Sequence, residues 1–110
     1  MDSEYIISET IDFDKTIKKV LEFAKKDENT LVLITADHET GGYSIIDGDI
    51  EENIIGDPIY NNIKTDFIND DHTATMVPIF SFGPNAQHFI GTYHNTELYN
   101  KILSGFNIKN

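Results

Sequence analysis

The sequence predicts an α/β fold, a partial and mostly parallel sheet flanked by helices. Three observations carry the expectation. Apolar residues recur at helical spacing from Phe13 to Ala24. An unbroken apolar run, Leu31-Val32-Leu33-Ile34, follows after one polar turn. A second apolar run, Met76 to Phe82, precedes another helical pattern near the end. A helix, a tight connection and a strand apolar on both faces make half of a parallel α/β unit.

Taken in order, residues 1–11 carry little periodicity, and Tyr5-Ile6-Ile7 reads as a short strand or a docked extended segment. A helix over about 13–27 follows, with Phe13, Ile17, Val20, Leu21 and Ala24 on one face. Asp12 is placed to cap it, and Asp14 in the first turn and Lys25-Lys26 in the last suit its dipole. The remaining lysines read as a solvated face. Asp27-Glu28-Asn29 turns the chain into a strand at 30–36. Tyr43-Ser44-Ile45-Ile46 predicts a strand over about 43–46, stopped by Asp47-Gly48. Residues 47–62 read as a variable loop, and Ile63 to Phe67 as a further short strand. The run at about 76–82 is a strand by composition; Pro78 cannot donate to a ladder, so the strand begins there or lies at an edge. Asn95 offers a cap for a helix over about 96–104, with Leu98, Ile102 and Leu103 as its stripe and Gly105 as its stop.

At 110 residues the chain is expected to be a single domain, 1–110. A net charge of −11 argues against nucleic acid and against docking on anionic membranes, since both demand basic surface. No apolar run approaches the roughly 20 residues of a spanning helix. Without cysteine, disulfides and thiolate metal sites are excluded. The first residues lack the basic-then-apolar pattern of a secretory signal, so the protein is cytoplasmic or a leader, and more, has been removed.

The chemistry concentrates where the first apolar run ends. Ligands of open α/β sheets bind beyond the carboxyl ends of strands, and Asp37-His38 falls there. Carboxylate and imidazole are good ligands for divalent metals, zinc above all. Neighbours on an extended strand point to opposite faces, so both reach one metal only if the backbone turns. Gly41-Gly42 supplies the freedom for such a turn. The plainer alternative is a strand-end pair satisfied by turn hydrogen bonds. His72 sits in a second polar cluster ahead of a strand. Asp70 and Asp71 beside it read as loop carboxylates, and His88 and His94 as surface histidines. Zinc needs three protein ligands and a water, or four protein ligands, and this set falls short. No nucleophile declares itself: none of the serines sits in a Gly-x-Ser-x-Gly elbow, and phosphate-cradling glycine motifs are missing.

Three segments together resemble the C-terminal part of the alkaline phosphatases. They are Glu9 to Asp14, Thr30 to Gly42 with its Thr-Ala-Asp-His-Glu-Thr-Gly-Gly stretch, and His72-Thr73 followed by Val77-Pro78, Phe82-Gly83-Pro84, Gly91 and Asn95-Thr96-Glu97. The resemblance implies two zinc ions and a magnesium ion serving a serine nucleophile in phosphomonoester hydrolysis. It assigns Asp37 and His38 to the zinc that activates the serine, and His72 to the zinc that activates water. The family's serine, phosphate-binding arginine and magnesium ligands have no counterpart here. By the resemblance, a further aspartate and histidine that would join His72 on its zinc belong to a segment ending just before Met1, and Met1-Asp2 resembles the tail of that His-x-Asn-Asp stretch.

The expectation is therefore a C-terminal segment of a zinc-dependent phosphomonoesterase, inactive alone, with a phosphomonoester substrate only in the intact enzyme. The resemblance implies a periplasmic or secreted protein. The alternative is a non-catalytic metal-binding domain, or one that self-associates as a homo-oligomer through uncovered sheet edges.

Overall fold

In the computed structural model, described over residues 3–52 and 58–106, helix α1 runs Ser3–Asp27, longer than the periodicity indicated. Strands β1 (Val32–Thr35), β2 (Glu39–Thr40), β3 (Ser44–Glu52), β4 (Pro58–Asp66), β5 (His72–Thr73) and β6 (Ile79–Phe82) follow. A 3-10 turn at Ala86–Phe89 and helix α2 (Glu97–Gly105) complete the order. No helix among the described residues is long and apolar enough to cross a membrane.

The mostly parallel sheet does not form. Among the described residues the strands make three two-stranded sheets, β1 with β6, β2 with β5 and β3 with β4, all antiparallel. An apolar run reports that a strand is buried, not which way its neighbour runs. The partner of β1 here is β6, which lies more than forty residues on, with Val32 opposite Phe82 and Ile34 opposite Phe80.

Other expectations need correction too. The segment Tyr5-Ile6-Ile7 is helical, not extended. Asp12 is inside α1 and caps nothing: its carbonyl accepts the Thr16 hydroxyl at 3.0 Å and its carboxylate pairs with Lys15 at 2.8 Å. Asp47-Gly48 bends β3 without ending it, and register shifts flank Asp47. Most of the expected loop at 47–62 is thus paired strand; residues 53–57 lie outside the described residues. The late strand starts at Ile79, directly after Pro78, as a missing ladder donor requires. Helix α2 opens at Glu97 behind Thr96, which makes no side-chain cap, whereas Asn95 contributes only its carbonyl, accepting the Leu98 N–H at 3.1 Å.

The chain divides into two compact units. One comprises residues up to Glu9 with Asp37–Val77, and the other Thr10–Ala36 with residues from Pro78 onward. The second holds the buried apolar side chains Ala24, Val32 and Phe89. Its loops are stitched by Thr35 Oγ1 donating to the Pro78 carbonyl at 2.9 Å and by Ser81 Oγ donating to the Ala86 carbonyl at 2.9 Å. Lys101 donates to the His88 carbonyl at 2.6 Å with its ammonium over the Tyr93 ring. In the first unit, Tyr43 packs on Phe67 and donates its hydroxyl to Thr65 at 2.8 Å.

Candidate metal centre

The backbone leaves its strand at Asp37-His38 without help from the glycines, which make a separate turn after β2. The ladder of β1 stops at Thr35, Asp37 lies in a bend, and pairing resumes at Glu39. Gly41 and Gly42 both take positive φ, 78° and 59°, and turn the chain from β2 towards β3. Three backbone bonds hold that turn: Gly41 N–H donates to the Asp71 carbonyl at 2.9 Å, and the Gly41 carbonyl accepts from Ile68 at 2.8 Å and Asn69 at 3.2 Å. A cluster separated by some thirty residues is thereby tied to the Asp37-His38 bend.

The bend brings Asp37 Oδ2 within 3.4 Å of His38 Nε2. The carboxylate is largely open to solvent and the imidazole is half-buried. On its other nitrogen, His38 Nδ1 lies 3.2 Å from the Glu39 carbonyl and 3.2 Å from Thr40 Oγ1. A proton on Nδ1 would satisfy the carbonyl and, in the neutral ring, leave the Nε2 lone pair facing Asp37, the arrangement a metal ligand needs. In that ring state a cation between Nε2 and the carboxylate would satisfy both acceptors. Two ligand atoms on one tetrahedral zinc stand about 3.3–3.6 Å apart, from bond lengths of about 2.0–2.2 Å. The pair has the chemistry and the spacing for two ligands of one ion.

His72 arrives from β5. Its ring stacks on that of His38 with centroids 3.4 Å apart and planes inclined by 25°. The preceding turn is built by Asp71, whose N–H donates to Asn69 Oδ1 at 2.7 Å and whose Oδ1 accepts the His72 N–H at 2.8 Å. Asp71 therefore shapes the loop, and Asp70 is exposed beside it. His88 and His94 are exposed in the other unit; His94 Nδ1 contacts Thr96 Oγ1 at 2.9 Å.

All three candidate ligands, Asp37, His38 and His72, thus meet in one unit. Yet among the described residues no group of three or more His, Asp or Glu side chains converges on one point. The donors suit zinc in type and spacing but, among the described residues, number fewer than a zinc ion needs. The sequence did not single out Glu39 and Thr73, which face each other across β2 and β5. Glu39 lies inside the acidic motif, but only the pairing of β2 with β5 shows what its carboxylate reaches.

Comparison with known proteins identifies the family. The sequence pattern described as Alkaline phosphatase matches residues 2–68. Alkaline phosphatase of Escherichia fergusonii is 32% identical over 103 residues, spanning 84% of this chain and 21% of its own length. The structure of alkaline phosphatase from the Antarctic bacterium TAB5 superposes with a TM-score of 0.81 at 41% identity, covering 99% of this chain and 31% of that one. A mutant of the TAB5 enzyme with Mg bound in the M3 site gives a TM-score of 0.82 at 40% identity, covering 98% of this chain and 32% of that one. The chain spans between about a fifth and a third of the length of these relatives. On this pattern match and structural likeness, the chain belongs to the alkaline phosphatase family.

Proposed function

We propose that this chain is the C-terminal segment of a zinc-dependent phosphomonoesterase, carrying part of a two-zinc site and no nucleophile. The observation that supports it is the 3.4 Å approach of Asp37 Oδ2 to His38 Nε2 with the His72 ring stacked alongside. Asp37 and His38 would hold one zinc and His72 the other. Paired catalytic metals stand about 3.5–4 Å apart, so ligands of neighbouring ions must lie side by side. When bound, zinc supplies Lewis acidity towards a phosphate ester. The chain's own residues orient the donors: the Glu39 carbonyl and the Thr40 hydroxyl hold the His38 ring at Nδ1, and the Gly41 turn holds the His72 loop beside it. Magnesium belongs to the rest of the enzyme, as do the serine and the phosphate-binding groups. The intact enzyme would act on phosphomonoesters in the periplasm or outside the cell.

The test is hydrolysis of para-nitrophenyl phosphate by the chain alone with added zinc and magnesium. No turnover above background is expected, together with zinc binding by calorimetry. Robust metal-dependent turnover would overturn the inactive-alone reading, and an absence of zinc binding would overturn the metal site.

A second reading rests on uncovered apolar side chains. Phe80 of β6, Ile45 and Ile50 of β3, and Ile68 are each more than 60% exposed. In the two-stranded sheets both outer edges are open among the described residues. Such surface favours self-association or a partner that covers it.

A further inference from the structure

We propose that Glu39 is the positioning residue that keeps His38 and His72 together; the metal-site reading above supplies the reason their juxtaposition matters. The sheet of β2 and β5 is only two residues long on each side, with Glu39 opposite Thr73 and Thr40 opposite His72. So short a ladder is marginal by itself. Side chains alternate along a strand, so Glu39 and Thr73 share one face of the ribbon. His72 and Thr40 share the other, where Thr40 Oγ1 meets His38 Nδ1 at 3.2 Å.

On the Glu39 face, both carboxylate oxygens are engaged. Oε1 accepts the Gly42 N–H at 2.9 Å, closing the glycine turn, and Oε2 accepts the Thr73 hydroxyl. Both contacts are part-buried, where charge-assisted bonds are stronger than at an open surface. One side chain thus ties the turn after β2 to the residue directly following His72.

The consequence is register. A one-residue slip of β5 against β2 moves every side chain to the opposite face. It would carry His72 away from His38 and put Thr73 where the imidazole now stacks. Glu39 blocks that slip from the reverse face without touching either ring, so it acts through the histidines and not on an ion or substrate.

The test uses the full chain and reads the histidine rings by NMR. In the unaltered protein, cross-relaxation between the His38 and His72 ring protons is expected. It should disappear in Glu39→Ala and in Thr73→Val, the latter leaving the Gly42 bond in place should Glu39→Ala fail to fold. Glu39→Gln, whose amide still accepts and also donates, should restore it. Zinc affinity should fall about 10–100-fold in the first two variants and recover in Glu39→Gln, the range expected for partners of metal ligands. Inter-ring contacts surviving in folded Glu39→Ala or in Thr73→Val would overturn the proposal. Loss of those contacts in the variants, with no zinc binding by the unaltered chain, would support the positioning role and refute the metal site separately.

Discussion

The imidazole of His38 lies face against that of His72, ring centroids 3.4 Å apart, although thirty-four positions separate them. The proposed zinc site predicts an order of effects from this stacking. Asp37 and His38 point their acceptors at one spot, whereas His72 supports that spot from the side. Asp37→Ala and His38→Ala are each expected to weaken zinc by more than about tenfold, as loss of a direct ligand should exceed the lower range for its supports. His72→Ala should weaken the same ion less. Calorimetric titration of the three variants checks the order, and equal losses would mean His72 shares the ion.

Two glycines with positive φ should respond differently to alanine. At Gly42, φ is 59° and a methyl group would stand 3.1 Å from Ile68 Cβ and Cδ1, contacts tight enough to ask a few tenths of an ångström of that exposed residue but no backbone clash. Gly42→Ala should cost about 1–2 kcal/mol, the conformational penalty of the left-handed region. At Gly83, φ is 101° and a methyl group would sit 2.2 Å from the Thr30 carbonyl oxygen, a backbone atom. Gly83→Ala should exceed ~3 kcal/mol, because strain and backbone displacement add. Denaturant midpoints of the two variants give the comparison.

The β3–β4 ribbon carries a pH-sensitive pair. Lys64 Nζ donates to Asp47 Oδ2 at 3.0 Å, and the Gly48 N–H donates to Asp47 Oδ1 at 2.9 Å. The lysine first and the backbone bond second hold the Asp47 carboxyl below its ordinary value. A lowered folded-state value means the ionised form stabilises the ribbon above the unfolded pKa, and this is lost as pH falls through the folded one. The Asp47 side-chain resonance should therefore titrate at lower pH than the same residue in Lys64→Ala. Both groups are exposed, so added salt should narrow the difference.

Phe80 stands on the face of β6 that also carries Phe82, with Ile34 directly opposite it, and is 61% exposed. If the uncovered face drives association, sedimentation should show species above the monomer mass that diminish with rising dilution. Phe80→Ser should shift the distribution towards monomer. A strict monomer in both would remove the self-association reading.

What the sequence by itself determined is local. The apolar run at Leu31 to Ile34, the turn-forming Gly41-Gly42, the candidate pair Asp37-His38 and the stop imposed by Pro78 are all legible from residue types and side-chain period within a few residues. The amphipathic stripe of α1 was legible from Phe13 onward. Its first ten residues were not, because Tyr5, Ile6 and Ile7 are consecutive and point around the helix, which reads as well for a strand.

The tertiary structure decided what depends on distant partners. The direction of β1's neighbour is set by a strand over forty residues away, and burial pattern carries no sign of direction. Asp47-Gly48 became a bend inside β3 because β4 offers a partner on both sides of it. His72 became a neighbour of His38 through the two-residue register of β2 and β5 and the Gly41 bonds. Candidate donors are a matter of residue type, which sequence displays; their juxtaposition is a matter of register, which only the folded chain possesses.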